Sequence, residues 1–338
     1  MTMNTSNTQQ EKIFQEYKPL LFSIAYSMLG SIMDAEDCMQ EAFLQWYTAD
    51  QQETIDNPKA YLCTLVTRRC IDRLRAAHAQ RETYVGLWLP EPLIETADPS
   101  YLSELTESLS MAFLLLMEHL SPIERAVFLL RQVFDYDYAE IATIVGKSAE
   151  NCRQIMHRAR RHLPTQSNVS QTPPAQQQQV FTQFLQASIN GDMDGLLHVL
   201  ADEIVLYADS GGKVRAARNP LYGPDHVARY LLGLKQKFLS LFKLAVQPMI
   251  INRQPGLVGY LEEALDEKQL LHLELESREY IKQQLSWYQH ALKKGEAVFA
   301  IVCTCTDTQI QEVDMIVNPE KLRHIPPLNA HDNDTITF

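Results

Sequence analysis

Residues 121–163 read SPIERAVFLLRQVFDYDYAEIATIVGKSAENCRQIMHRARRHL, and three helix starts are written into them. Ser121-Pro-Ile-Glu124 has the form of a capping box with proline in the first turn: the serine caps and the glutamate reaches back. It opens a helix over 122–133. Asp137-Tyr-Ala-Glu140 repeats the pattern and opens a short helix with Ile141, Ile144 and Val145 inward. Gly146-Lys147-Ser148 is a tight turn, with Ser148 as the next N-cap. The last helix, 149–162, buries Cys152, Ile155, Met156 and Ala159, with Leu163 after it. Asn151, Gln154, Arg158 and Arg161 face the other way, flanked by Arg153, His157 and Arg160. These are the proportions of a helix-turn-helix. Asn, Gln and Arg near the start of such a helix contact base edges, and arginines at its end suit phosphates. The plain alternative is a helical hairpin with a basic face and no nucleic-acid partner.

Upstream, apolar residues from Ile13 to Met28 recur at spacings of three and four, one face of an amphipathic helix over 11–29. Asp34 is a candidate N-cap for a helix over 35–48, which sets Asp34, Glu36, Asp37 and Glu41 against a stripe of Ala35, Cys38, Met39, Ala42, Phe43 and Trp46. Asn57-Pro58 opens a third helix, with proline where its missing N–H costs nothing. Between 60 and 81 this helix carries five arginines (68, 69, 73, 75 and 81) and one acid, Asp72. Basic side chains near Tyr61 and Trp46 are able to grip phosphates and stack unpaired bases; a merely solvated face is the alternative.

The whole chain is acidic, with a net charge of −12 over 338 residues. Taken as an average, that argues against DNA. The average hides two windows, 60–81 and 146–163, each with five basic residues and one acid. No apolar run approaches the roughly 18 residues of a membrane span, and the N-terminal MTMNTSNTQQEK has neither the basic nor the apolar segment of a signal peptide. Of the six cysteines, Cys38, Cys63, Cys70 and Cys152 sit at apolar helix positions. Cys303 and Cys305 share one strand face, and none has zinc-site spacing. A reducing, cytoplasmic compartment is expected, with no metal and no cofactor.

The punctuated stretch from Gly86 to Pro99 holds three prolines, at 90, 92 and 99, and is no continuous helix. Residues 165–179 are uncharged, polar and proline-containing, and read as a flexible linker. Beyond them the texture is α+β. Helices are expected at 177–190, 192–200 and 224–238, and strands at 204–208, 213–217, 244–251, 297–305 and 310–317. Residues 260–295 read as a charged helical insertion. Asp209, Asp225, His198 and His226 are the candidates should this domain be an enzyme, with Asp209 better suited to turn or interface chemistry.

Asp34-Ala-Glu-Asp37-Cys-Met-Gln40-Glu41, Asn57-Pro-Lys-Ala-Tyr61-Leu and Arg68-Arg-Cys-Ile-Asp72-Arg-Leu-Arg75 together resemble region two of the extracytoplasmic-function sigma factors. Leu120-Ser-Pro-Ile-Glu124, Tyr138-Ala-Glu-Ile-Ala142 and the basic last helix resemble region four. Arg81-Glu-Thr-Tyr-Val-Gly-Leu-Trp88-Leu-Pro90, Ala208-Asp209-Ser210-Gly-Gly212-Lys213 and Asn318-Pro319-Glu320-Lys321-Leu322 resemble the motifs of the subgroup with a fused C-terminal SnoaL-like domain, though Ser210 stands where a third glycine is usual.

The resemblance implies a multidomain fold: region two at 8–80, a linker at 81–107, region four at 108–164, a second linker at 165–179 and an NTF2-like α+β cone at 180–338. It implies a transcription initiation factor, not an enzyme. Core RNA polymerase, through its β′ coiled coil and β flap, and promoter DNA are the implied partners. Asp34, Glu36, Asp37, Gln40 and Glu41 would dock polymerase. Tyr61, Arg68, Arg69, Asp72, Arg73 and Arg75 would read the −10 element, and Asn151, Arg153, Gln154, His157, Arg158, Arg160 and Arg161 the −35 element. Trp88, Leu89, Pro90, Asp209, Gly211, Gly212, Lys213, Asn318, Pro319 and Lys321 would join the extension to the sigma part, in place of a separate anti-sigma factor. A one-component regulator, binding DNA and a ligand without polymerase, is the competing reading.

Overall fold

The structure, a computed structural model, describes residues 3–49, 55–81, 84, 86–94, 109–163, 172–214, 216–238, 243–263, 294–328 and 336–337. The chain divides into two compact units. One comprises Met1–Thr83 and Thr96–Ser167; the other comprises Tyr84–Glu95 and Asn168–Phe338. Among the described residues, no helix is long and apolar enough to cross a membrane.

The first unit is helical: α1 (Met3–Leu29), α2 (Ile32–Ala49), α3 (Pro58–Arg81), α4 (Met111–Met117), α5 (Pro122–Gln132), α6 (Tyr138–Val145) and α7 (Ala149–His162). The first three pack on one another through Leu21, Ile24, Met28, Cys38, Trp46, Leu62, Val66 and Cys70, all buried. Helix α1 starts earlier than the periodicity indicated. Asp34 does not cap α2. The Ser31 hydroxyl accepts from the Asp34 amide at 3.1 Å, so the cap lies three residues earlier and Asp34 sits inside the first turn. Asn57 caps α3 by accepting from the Ala60 amide at 3.1 Å. The three starts between 121 and 148 behave as local chemistry dictates. Glu124 accepts from the Ser121 amide at 3.1 Å, and Asp137 accepts from the Ala139 and Glu140 amides at 2.8 Å. Ser148 accepts from the Asn151 amide at 3.1 Å. Gly146 closes α6 at φ 65°, the left-handed position that glycine takes without strain.

The second unit contains α8 (Pro174–Asn190), α9 (Met193–Val199), β1 (Leu200–Asp209), β2 (Leu221–Tyr222), α10 (Pro224–Phe238), β3 (Lys243–Ile251), β4 (Gln254–Glu263), β5 (Ala297–Cys305), β6 (Ile310–Ile316) and β7 (Ile336–Thr337). They form a sheet in the order β2-β1-β6-β5-β4-β3-β7. Among the described residues, only the β1–β6 pair is parallel. Phe181, Phe184 and Leu196 from α8 and α9, and Val227 and Leu231 from α10, pack with Leu206, Val246, Cys303, Val313 and Met315 of the sheet as one core.

Three expectations need correction. Helix α8 begins at Pro174, so the last residues of the expected 165–179 linker are helical, with proline again in the first turn where it is tolerated. The described residues of the expected 213–217 strand form none. Gly211 and Gly212 both have positive φ, and the Lys213 side chain pairs with Glu320, which draws the chain away from a hairpin partner. Strand β4 was missed altogether. It carries Gly256 and Gly259, which weaken a strand signal, and Gly259 lies where a side chain would overlap the Phe299 ring of β5. The β3–β4 connection is the two-residue turn Asn252-Arg253, with φ of 51° and 63°, the mirror-image geometry that suits hairpins. Of the expected 260–295 insertion, residues 260–263 are strand and 264–293 lie outside the described residues.

On β6, Met315 points with the core, whereas Glu312 and Asp314 point to the opposite face. There Asp314 is fully buried, and both its carboxyl oxygens and Glu312 Oε1 lack a hydrogen-bond partner among the described residues. Burial pushes both carboxyls above their ordinary range, and for Asp314 the neighbouring Glu312 pushes in the same direction. Tyr207 of β1, paired with Asp314 across the ladder, is pushed up to about 12, by burial first and then by Glu312.

Candidate functional site

Helix α7 stands on α5 and α6 through Cys152, Ile155, Met156 and Ala159, and exposes Arg153, Gln154, His157, Arg158, Arg160 and Arg161. Asn151, in the first turn, is half-buried. Two of these basic groups are held from the side. Arg153 lies 5.3 Å from the centre of the Tyr138 ring and 3.4 Å from Glu150, and Arg160 donates to Gln132 at 3.3 Å. Arg158 and Arg161 pair with no carboxylate among the described residues. His162 contacts Glu124 at 3.3 Å. Burial alone would raise the Glu124 carboxyl, but bonds from Ser121 and the nearby His162 hold it below its usual range.

Helices α2 and α3 bring two expected sets of residues together. Arg73 contacts Asp34 at 3.0 Å and Asp37 at 2.9 Å, and Arg69 pairs with Glu41. The α2 acids and two of the α3 arginines thus neutralise each other across the helix pair. Glu36 and Gln40 stay exposed, and Met33 and Leu44 on the same helix are 50% and 64% exposed. Asp72 and Arg75 form an exposed pair one turn apart at 3.1 Å. Tyr61 packs on Trp46 with ring centres 5.9 Å apart. Arg68 is occupied differently: Nε donates to the Ile144 carbonyl at 2.9 Å and a terminal nitrogen to that of Thr143 at 3.0 Å. These carbonyls end α6, where the helix dipole favours a cation. Tyr136 Oη bonds Cys63 Sγ at 3.1 Å along the same seam between α3 and the helix-turn-helix.

The second unit carries a polar cluster around Asp209, the last residue of β1. Its Oδ2 accepts from the Leu89 amide at 2.8 Å and from Lys321 Nζ at 2.6 Å. Its Oδ1 accepts from the Tyr84 hydroxyl at 2.6 Å and the Gly211 amide at 3.0 Å. Lys321, in the 3₁₀ turn Pro319–Leu322, also donates to the Leu89 carbonyl and lies 4.2 Å from the centre of the Trp88 ring. Asn318 donates to Tyr84 Oη at 3.0 Å. Burial, and then the Asp209 carboxylate, drive the Tyr84 phenol far above its usual range. Asp209 and Lys321 therefore form a buried ion pair whose further bonds go to the Leu89 amide and carbonyl, the Tyr84 hydroxyl and the Gly211 amide. Pro90 follows that residue and is buried.

The grip extends along the segment. The Leu93 amide donates to Asn252 Oδ1 at 2.9 Å, the Asn252 amide donates to the Leu93 carbonyl at 2.8 Å, and His324 Nε2 bonds the Pro92 carbonyl at 2.8 Å. Of the motif residues expected here, Lys213 pairs with Glu320 and the Gly212 amide donates to Ser210 Oγ at 3.3 Å, so these bonds do not go to the segment. Tyr84, Leu93, Asn252 and His324 were not singled out. Tyr84 sits one helical turn's spacing before Trp88, and Asn252 is the residue type that hairpin turns favour, but neither signal names a partner.

The enzyme candidates do not converge. Asp225 is exposed and paired with Arg229 at 2.8 Å, His226 bonds the Tyr222 carbonyl, and His198 is exposed. Among the described residues, no group of three or more His, Cys, Asp or Glu is arranged to hold a metal. All six cysteines are buried and unpaired, and burial pushes the Cys305 thiol up to about 12.

Residues 13–80 match the family description "Sigma-70 region 2" and residues 110–163 match "Sigma-70, region 4". The chain is 34% identical to the ECF RNA polymerase sigma factor SigJ of Mycobacterium tuberculosis over 259 residues, 73% of this chain and 82% of that protein. It is also 34% identical to the probable ECF sigma factor SigI of the same species over 256 residues, 75% of this chain and 84% of that one. The crystal structure of M. tuberculosis SigJ superposes with a TM-score of 0.66 at 27% identity, covering 91% of this chain and 96% of that one. On this evidence, the chain belongs to the extracytoplasmic-function family of sigma-70 RNA polymerase sigma factors.

Proposed function

We propose that this sigma factor is tuned by its own C-terminal unit, through the grip that unit keeps on residues 84–94. The observation that carries the reading is the buried Asp209–Lys321 pair, which bonds both the amide and the carbonyl of Leu89. That segment joins the two sigma regions in the chain, so whatever holds it limits how the regions separate to meet promoter elements.

In this reading, the exposed face of α2 docks core polymerase. Met33 and Leu44 give it apolar contact area, Glu36, Asp37 and Glu41 give it negative charge, and Gln40 adds a neutral hydrogen-bonding group. Arg69 and Arg73 exchange their α2 carboxylates for phosphates at the −10 element, with Tyr61 beside them. Arg68 joins them only after leaving the carbonyls of α6. Helix α7 reads the −35 element with Asn151 and Gln154, and holds phosphates with Arg158 and Arg161.

The test is run-off transcription with purified core polymerase, using the full chain, the Lys321→Met variant and a chain ending at residue 164. Promoter-specific transcripts whose yield changes when the grip is cut support the reading. Equal yields from all three would sink the regulatory part while leaving the initiation factor intact. No specific transcript from any would favour a regulator that acts without polymerase.

A further inference from the structure

The second unit contains a partly open cavity of about 170 Å³ between α8, α10 and the sheet. Its wall is almost wholly apolar, and several core residues, among them Phe184, Leu231, Val246 and Met315, line it. A cavity of about 150 Å³ accommodates benzene, so there is room here for one ring or a short branched chain. Three polar groups interrupt the lining. Ser188 Oγ is buried and has no hydrogen-bond partner among the described residues. Tyr230 Oη accepts from the Ala217 amide at 3.1 Å. Lys235 Nζ donates to the Ile189 carbonyl and pairs with no carboxylate among the described residues. Lys235 is the only charged side chain among the described residues of the wall, and it gives that lining a positive charge.

We propose that this cavity binds a small monocarboxylate with a compact apolar body, and that its occupancy acts on the linker grip. The apolar wall takes the body. Lys235 offers donors that its single carbonyl partner does not exhaust, and Ser188 offers a hydroxyl with nothing else to bond. An ion of opposite charge satisfies both, whereas a cation would meet Lys235 unscreened. The connection to the linker is covalent and short. Val214 lines the cavity and follows Lys213, which pairs with Glu320. Val317 lines it too; its amide donates to the Asp209 carbonyl at 2.8 Å, and it precedes Asn318, which bonds Tyr84. Val317 is therefore bonded to one residue that holds 84–94 and adjoins another, while Val214 reaches the grip through Lys213 and Glu320, which precedes Lys321. The regulatory half of the proposal rests on the function proposed above; the binding half does not.

The probe is phenylacetate, compared with phenethyl alcohol and phenethylammonium, titrated calorimetrically into the full chain. Phenylacetate is expected to bind, the alcohol roughly tenfold more weakly and the ammonium not at all. Lys235→Met should bring phenylacetate down to the alcohol's affinity, and Ala216→Phe, which fills the cavity, should abolish both. Equal binding of all three probes, or none at millimolar concentration, overturns the site. Hydrogen exchange at the Leu89 and Leu93 amides, measured with and without saturating phenylacetate, reads the coupling. A change in their exchange supports it, and binding with unchanged exchange overturns that half alone. If Lys321→Met leaves these amides protected in the ligand-free chain, it is the function proposed above that fails.

Discussion

Lys321 Nζ lies 2.6 Å from Asp209 Oδ2, and neither side chain reaches solvent appreciably, at 8% and 0% exposure. The pair closes a chain of contacts through Leu89, Tyr84 and Trp88. A buried pair of this kind is costly to break from one side, because the surviving charge stays buried without a partner. Lys321→Met is expected to destabilise the second unit by about 3–5 kcal/mol and to expose 84–94 to protease. Adding Asp209→Asn should recover part of that loss. Chemical denaturation with limited proteolysis checks both, and a double variant no better than the single one would show that the charge is not what matters.

Gly211 tests the grip without touching a charge. It has φ of 58°, and a Cβ there would stand 2.5 Å from Asn318 Nδ2. Gly211→Ala should displace Asn318 from Tyr84 on top of a conformational cost of about 1–2 kcal/mol. Gly86→Ala shares a positive φ but meets nothing within 4 Å, so it should cost the backbone term alone. Thermal unfolding of the two variants side by side separates contact from conformation.

Glu312 and Asp314 have a pH consequence. Both carboxyls sit above their ordinary range in the folded chain, so the folded state holds protons that the unfolded state has already released. Stability from this pair is complete at acid pH. It falls as pH rises above about 4, the ordinary carboxylate value, towards the raised folded values. Asp314→Asn, which supplies a donor and cannot ionise, should flatten the decline. Denaturant midpoints of the wild type and the variant between about pH 4 and about pH 8 measure it. A wild-type stability that climbs over that range through the second unit's transition would contradict the assignment.

Arg158 and Arg161 leave a footprint in salt. If each neutralises one phosphate, replacing either with alanine should lower the slope of log affinity against log salt by about one. The loss should be nearly the same for matched and mismatched −35 sequences. Gln154→Ala, by contrast, should relax discrimination between sequences and leave the slope alone. Fluorescence anisotropy at several salt concentrations distinguishes the two behaviours.

Much was legible in the residues taken alone. The helix starts at Ser121, Asp137 and Ser148 are closed by bonds spanning two or three residues. Such contacts are specified wherever the two residue types occur at that spacing, which is why the helix-turn-helix and its basic outer face could be read directly. The motifs around Asp34, Arg68 and Glu124 carried the family for the same reason: they are short and contiguous.

Tertiary structure decided what the sequence could not. Asp209 meets Leu89 across 120 positions and Lys321 across 112, and no spacing rule reaches that far. Asp34 ended up inside its helix because Ser31 already held the cap, and Asp37 and Glu41 gained arginine partners only when α2 and α3 packed. Strand β4 needed its neighbours on both sides before its glycines made sense, one of them lying beneath the Phe299 ring. Local hydrogen bonds and periodicity depend on a few adjacent side chains, and so belong to the sequence. Ion pairs, ladders and cavities depend on which distant segments share a core, and that is settled only when the chain closes on itself.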